Sequence, residues 1–243
     1  MSLLTIASTR LGYCHGSCDS LRSFRKIRAK YASRVKRMLE GRASRAEGIM
    51  EITVCTKRNA SHGFGLSERS KIVIIGTSGS GKSTLAKYLS KKLGIKDIEL
   101  DSLFWKENWQ QAKDEDFRKN IKISLENVSG FVIHGNYNNV RNLTWANSEI
   151  LIWLDYSREI IMFRIITRTL KRILTRKKLW NGNIETIKNS MFSKDSIIFW
   201  AWKTYNLRRK QYSRLKSENV FGIKRMIIIK KPTDVKYLMQ SSK

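Results

Sequence analysis

The stretch Lys71-Ile72-Val73-Ile74-Ile75-Gly76-Thr77-Ser78-Gly79-Ser80-Gly81-Lys82-Ser83-Thr84 decides the fold. Its first five residues are a short, largely β-branched run that predicts a strand. Immediately after it, Lys82–Leu93 carries Leu85, Ala86, Leu89 and Leu93 on one helical face, and Gly94 supplies the stop. Between strand and helix lies Gly-x4-Gly-Lys-Ser, a spacing with a physical meaning only in that setting. Gly76, Gly79 and Gly81 let the backbone wrap a phosphate so that successive N–H groups point inward, where the helix N-terminus adds its positive end. Lys82 is expected to reach the β- and γ-phosphates of a nucleotide, Ser83 to give its hydroxyl to Mg²⁺, and Thr84 to approach the α-phosphate. The expected binding set for ATP is therefore Gly76, Thr77, Ser78, Gly79, Ser80, Gly81, Lys82, Ser83 and Thr84.

Downstream, strands and helices alternate. Strands are predicted at Lys96–Leu100, Phe131–Ile133, Ile150–Leu154 and Arg225–Ile229. Helices are predicted over Asp114–Val128, from a Ser157 cap to about Lys178, over about Asp195 to Lys216, and from near Pro232. Strand interiors that are apolar throughout, alternating with helices, imply an α/β fold whose parallel sheet is covered on both faces.

Upstream the texture differs. Residues 1–70 hold 14 basic and 5 acidic residues, and no acidic residue falls between Asp19 and Glu40. Residues 1–70 are expected to form a basic, poorly ordered N-terminal extension, and 71–243 the phosphate-binding domain. Met50 would also start a chain with that domain intact. An alternative is an organelle-targeting presequence, since the segment is rich in Arg and Ser and poor in acids. Cys14-His15-Gly16-Ser17-Cys18 supplies three ligands where a structural zinc site takes four, so no metal site is expected there.

Over the whole chain, 48 Lys and Arg oppose 20 Asp and Glu, a net charge of +28. Such a charge predicts anionic partners: nucleotides, nucleic acid or a membrane surface. No apolar run approaches the roughly 18 residues that span a bilayer. The three cysteines, Cys14, Cys18 and Cys55, all precede the glycine loop, in keeping with a reducing, cytoplasmic setting.

Arg164, Arg168, Arg172 and Arg176 recur every four residues on one predicted helix and spread over about 18 Å of its axis. Arg164 and Arg168, nearest the strand end, are expected to bind phosphate; Arg172 and Arg176 are expected to be a solvated face. Asp101 and Asp155 each follow a strand, where the ligand crevice of an open α/β sheet lies. Asp101 is expected to orient an acceptor hydroxyl or a Mg²⁺-bound water, whereas Asp155 is equally readable as a turn acid. Phe104, Trp105 and Trp109 read either as a flat wall for an acceptor or as anchors of a flap. Trp200 and Trp202 read as packing residues.

Taken in order, Gly76–Thr84, Leu100-Asp101-Ser102-Leu103-Phe104-Trp105, Gly135-Asn136-Tyr137, Trp153-Leu154-Asp155 and the Arg164/Arg168 pair resemble the bacterial P-loop proteins called topology-modulation proteins or adenylate-kinase-like ATPases. Leu179-Trp180-Asn181-Gly182-Asn183-Ile184-Glu185 resembles their lid segment. The likeness runs from about Lys71 to Met239. It implies a three-layer P-loop NTPase fold of the nucleoside-monophosphate-kinase kind, with a five-stranded parallel sheet and a helical lid at about 169–194. It also implies that Arg164 and Arg168 grip the ATP phosphates. Where that family usually places an acid before Gly-Asn-Tyr, this chain has His134, which implies a weakened metal site with Ser83 and Asp101 carrying more of the metal.

Together these readings predict an ATP-dependent kinase for a nucleotide or other small-molecule acceptor, with Lys82, Asp101, Arg164 and Arg168 as catalytic residues. The rival is a nucleic-acid-associated P-loop ATP-binding protein that makes non-specific backbone contacts. A third reading, a nucleotide binder without catalysis, rests on His134.

Overall fold

The computed structural model describes residues 50–60, 63–176, 178–185, 196–219 and 221–241. The basic 22–45 stretch, the Cys14–Cys18 cluster and most of the expected extension lie outside these residues, as do positions 186–194 of the expected lid. In chain order the elements are β1 (Glu51–Val54), α1 (Lys57–Ala60), β2 (Lys71–Gly76), α2 (Lys82–Leu93), β3 (Lys96–Glu99) and α3 (Leu100–Phe104). They continue with α4 (Asp114–Leu125), β4 (Phe131–His134), α5 (Arg141–Thr144), β5 (Ile150–Leu154), α6 (Arg158–Leu174), α7 (Ile197–Arg214), β6 (Arg225–Ile229) and α8 (Val235–Ser241).

Every strand pairing is parallel, in the order β1-β6-β5-β2-β4-β3. Six strands are paired among the described residues, not the expected five. The added strand, β1, lies upstream of Lys71, where the domain was expected to begin. Glu51-Ile52-Thr53-Val54 is short and has exposed side chains at Glu51 and Ile52. Its place comes from backbone pairing with β6, which runs from Glu51↔Arg225 to Val54↔Ile228. Hydropathy carries little trace of such a strand.

Alternation along the inner strands explains the layers. Ile72, Ile74, Ile150, Ile152, Leu154, Ile227 and Ile229 face one apolar cluster with Leu85 and Leu89 of α2. Val73, Ile75, Leu151, Trp153, Met226 and Ile228 face a second, with Trp145 and Tyr212. Each inner strand thus buries both faces, which is why its sequence is continuously apolar. The fold is a three-layer α/β sandwich.

Helix α2 buries Leu85, Ala86, Leu89 and Leu93, and Gly94 ends it with φ 66°. Leu89 is fully buried, so cutting it back to Ala would cost about 2–5 kcal/mol. Helix α6 buries Ile161, Ile165 and Thr169, one residue every four, and ends at Leu174, earlier than Lys178. At the start of α7 the Ser196 hydroxyl accepts from the Phe199 N–H at 3.1 Å. The inward stripe of α7 falls on Ala201, Tyr205 and Tyr212. Trp200 and Trp202, expected as packing residues, flank Ala201 and are 37% and 52% exposed. Each is covered by a guanidinium instead: Arg208 at 5.2 Å from the Trp200 ring and Arg158 at 4.6 Å from that of Trp202. No helix among the described residues is long and apolar enough to cross a membrane.

Candidate active site

The glycine loop leaves the end of β2 at the centre of the sheet and enters α2. Its geometry demands glycine where the chain passes closest to its neighbours. Gly76 has φ 153°, and a Cβ there would lie 2.7 Å from Ser80 Oγ and 3.0 Å from the Leu154 carbonyl oxygen. Gly79 has φ 82°, and its Cβ would press at 3.2 Å on the Ile161 carbonyl oxygen of α6. Any side chain at either position would push the loop off the sheet or off α6.

Lys82 lies across the loop and donates to the carbonyls of Gly76 at 2.9 Å and Thr77 at 3.0 Å. Burial pushes its ammonium down to about 8, partly offset by Asp101 and reinforced by Arg168 and Arg208. Such a cation is short of solvation, and phosphate oxygens would supply it. Asn136 steadies the same point: its amide donates to the Gly76 carbonyl at 2.7 Å, while Tyr212 donates to its Oδ1 at 3.0 Å. Asparagine in Gly135-Asn136-Tyr137 thereby ties the loop to α7.

A cavity of about 860 Å³ opens from the loop. Ser78, Gly79, Gly81, Lys82, Ser83 and Thr84 line one end, and Gly76, Thr77 and Ser80 stand behind it. Arg164 and Arg168 reach in from α6. Arg164 Nη1 lies 3.4 Å from the Ser80 carbonyl oxygen. Burial, with Arg172 beside it, pushes the Arg168 guanidinium down to about 10, and its Nε is buried without a partner. Arg172, expected in solvent, also lines the cavity and donates to Glu185 Oε1 at 2.8 Å. Glu185 comes from beyond the end of α6, and its contact turns the third arginine of the ridge inward. Arg176 stays exposed past the helix end.

The far end is built from separate segments. Asp101, on α3, accepts from the Tyr137 hydroxyl at 2.6 Å. Burial and Asp101 raise the Tyr137 phenol far above its ordinary range, so it stays protonated as the donor. Trp105, Trp109 and Trp180 stand edge to face along one wall, with centroids 5.6 and 6.4 Å apart. Asn183, 4% exposed, pins that wall: its Oδ1 accepts from the Trp109 N–H at 2.7 Å, and its amide donates to the Lys106 and Trp180 carbonyls at 2.8 Å each. Asp155 lies elsewhere, paired with Arg209 at 2.9 Å.

Near Ser83, His134 is joined by Glu99 and Asp97, two acids that belong to no motif in the sequence. Ser83 Oγ is 3.4 Å from Glu99 Oε1 and 3.4 Å from His134 Nδ1, and His134 Nε2 is 3.1 Å from Asp97 Oδ1. The signal was available in Lys96-Asp97-Ile98-Glu99, since strand alternation puts Asp97 and Glu99 on one face. Register pairs Glu99 with His134 and Asp97 with Val132, so both acids flank the histidine.

A protein-family model described as an AAA domain matches residues 72–173. A shikimate kinase of Sulfurihydrogenibium sp. (strain YO3AOP1) is 28% identical over 171 residues, which are 63% of this chain and 98% of that protein. Among solved structures, a gluconokinase from Sinorhizobium meliloti 1021 aligns with TM-score 0.43 and 16% identity over 73% of this chain and 93% of that one. A shikimate kinase from Bacteroides thetaiotaomicron aligns with TM-score 0.40 and 16% identity over 70% and 94%. The core is a parallel α/β sheet whose central strand β2 runs through the glycine loop into α2, the P-loop arrangement. In this P-loop protein the arginines and the loop converge on one end of the cavity, and Asp101 and the tryptophans form the other.

Proposed function

We propose that the protein is an ATP-dependent phosphotransferase for a small hydroxylated acceptor, a nucleotide or another metabolite, of the adenylate-kinase-like, topology-modulation type. One observation carries the reading: a single cavity joins the phosphate-binding loop and two arginines to a carboxylate held by the Tyr137 hydroxyl and to a tryptophan wall. A phosphate grip alone would serve any nucleotide binder. An acid facing the grip across one cavity serves transfer.

The residues fit the ligands. Lys82 and Arg168 are desolvated cations, the latter with an unpartnered Nε, and phosphate oxygens satisfy both. Mg²⁺ is held in such sites by one or two protein oxygens plus phosphates and waters. Ser83 is the hydroxyl that would hold it, with the Glu99 carboxylate beside it. No group of three or more His, Cys, Asp and Glu able to hold a metal occurs among the described residues. When bound, Mg²⁺ would neutralise charge on the transferring phosphoryl group.

The transfer forms a bond between the acceptor oxygen and the γ-phosphorus and breaks the bond from that phosphorus to the β–γ bridging oxygen. Lys82, Arg164 and Arg168 stabilise charge on the phosphoryl oxygens as it spreads in the transition state. Asp101 accepts the acceptor hydroxyl: Tyr137 holds one carboxylate oxygen and leaves the other to receive the proton. The segment around 178–185 closes the wall and keeps water from taking the acceptor's place. The nucleic-acid alternative has the overall charge in its support, and the basic segment it relied on is outside the described residues.

Transfer of label from γ-labelled ATP to a panel of nucleosides, nucleotides and hydroxylated acids, with Mg²⁺, tests the reading. Labelled product from one class is expected. Nucleotide binding with ATP turned over only to free phosphate across the whole panel would overturn it.

A further inference from the structure

Beside Ser83, at the end of β4, stands an imidazole with a carboxylate behind it. His134 is 1% exposed, and its two ring nitrogens face different partners: Nδ1 the Ser83 hydroxyl at 3.4 Å, Nε2 the Asp97 carboxylate at 3.1 Å. We propose that Asp97 and His134 act as one composite acceptor for the Ser83 hydroxyl, with Asp97 the positioning residue that fixes the imidazole as its Nε2–H tautomer. The proposal rests on the nucleotide-binding reading of the loop.

The argument is one of donors and acceptors. A neutral imidazole has one N–H and one lone pair. With the proton on Nε2, that N–H donates to Asp97 and the Nδ1 lone pair faces Ser83. With the proton on Nδ1, a bare lone pair would meet a carboxylate oxygen across 3.1 Å inside the protein, two acceptors with no proton between them. The first arrangement makes Nδ1 an acceptor, so the Ser83 proton points into the sheet and the oxygen's lone pairs point out of it, toward the phosphates. This is the orientation that a metal-ligating hydroxyl requires. Glu99, also 3.4 Å from Ser83 Oγ, competes for the same proton. Since Ser83 has a single proton, a histidine acceptor leaves Glu99 to other donors. The division of labour follows from β3: Asp97 and Glu99 share a face two residues apart, one behind the ring and one in front of it.

The composite makes a further demand on this chain. His134→Asp would set a third carboxylate beside Asp97 and Glu99, where like charges disfavour ionisation. Relieving that should take a second change, His134→Asp with Asp97→Asn.

Two measurements decide the matter. Nitrogen-15 spectra of the histidine rings at pH 8, above the ordinary imidazole range, read the tautomer directly; the chain has three histidines, and His134→Gln assigns the signal. The Nε2–H form is expected in the wild type, and a shift in the tautomer balance is expected in Asp97→Asn. Calorimetry with a non-hydrolysable ATP analogue then compares binding with Mg²⁺ and with EDTA. Asp97→Asn should weaken binding on the order of tenfold with Mg²⁺ and leave binding in EDTA unchanged, as for loss of a group that orients a metal ligand. His134→Asp should weaken Mg²⁺-dependent binding, and His134→Asp with Asp97→Asn should recover it. A wild-type ring protonated on Nδ1 or on both nitrogens would overturn the proposal. So would an equal loss with and without Mg²⁺. Failure of the wild type to bind the analogue in either condition defeats the nucleotide reading of the loop instead, and the ring spectrum alone then judges the Asp97 claim.

Discussion

The two ends of the cavity are made in different ways. The phosphate end is mostly local: nine consecutive residues, Gly76–Thr84, fold back on themselves, and the arginines of α6, Arg164 and Arg168 foremost, reach in from one neighbouring helix. The acceptor end is collected from α3, from the Trp105–Trp109 stretch, from Tyr137 and from 180–185, and Asn183 and Tyr137 fasten it by hydrogen bonds 36 to 77 residues apart in sequence. A site made of consecutive backbone N–H groups tolerates little change. A site made of side chains on separate segments can be reshaped piece by piece. On the proposed reading, the phosphate end fixes the class of chemistry, and the acceptor end sets what receives the phosphoryl group.

The sharpest attempt to break that division is Lys82→Ala. Removing the one lysine in the loop should lower turnover by about 10²–10³-fold, the scale of losing a charge-stabilising group in a transition state. Thermal denaturation should show the fold intact, because the lost cation was poorly solvated in its buried place. Unchanged nucleotide affinity would contradict the loop's role. Asp101→Asn works from the other end: turnover should fall by about 10²-fold with ATP affinity retained, the pattern of a lost proton acceptor. Equal losses in ATP affinity and turnover would place Asp101 at the phosphate end instead.

Asn183→Ala sharpens the comparison further. It removes three hydrogen bonds that pin the tryptophan wall, each worth about 1 kcal/mol. The KM for the acceptor should rise several-fold, and calorimetric binding of ATP should change little. A matched rise in both constants would mean the two ends are one rigid unit.

The smallest effect concerns pH. Lys82 has its ammonium lowered to about 8 in the free loop, and bound phosphate favours the charged form, which raises that value. Binding then takes up a proton above pH 8, so nucleotide affinity should fall as pH rises through 8 and level off below it. Lys82→Ala should remove that slope. Calorimetry in buffers of different ionisation enthalpy reads the proton uptake directly.

The same contrast governs what was legible in the sequence. The glycine loop, the α2 face of Leu85, Ala86, Leu89 and Leu93, and the strand at Ile150–Leu154 were all readable, because each is set by neighbours a few residues away. Strand β1 was not, since its place is set by backbone pairing with a strand some 170 residues later, a separation that the register Glu51↔Arg225 makes concrete. Arg172 reads as a surface charge until Glu185 folds against it. Trp200 and Trp202 read as core until the α7 stripe settles on Ala201 and Tyr205. Asp97 and Glu99 lie on one face by the alternation rule, but only the register of β3 with β4 brings them beside His134 and Ser83. Asp101 itself was found from its position after a strand, while the tyrosine that holds it is 36 residues away.

The central claim is that one cavity couples ATP to an acceptor, and its most direct test is stoichiometry. Phosphorylated acceptor formed should be counted against ATP consumed, for the wild type and for Asp101→Asn, under saturating Mg²⁺. The account predicts close to one product per ATP in the wild type, with Asp101→Asn losing product faster than it loses ATP hydrolysis. ATP consumed at the same rate with or without acceptor, with free phosphate as the only product, would contradict it.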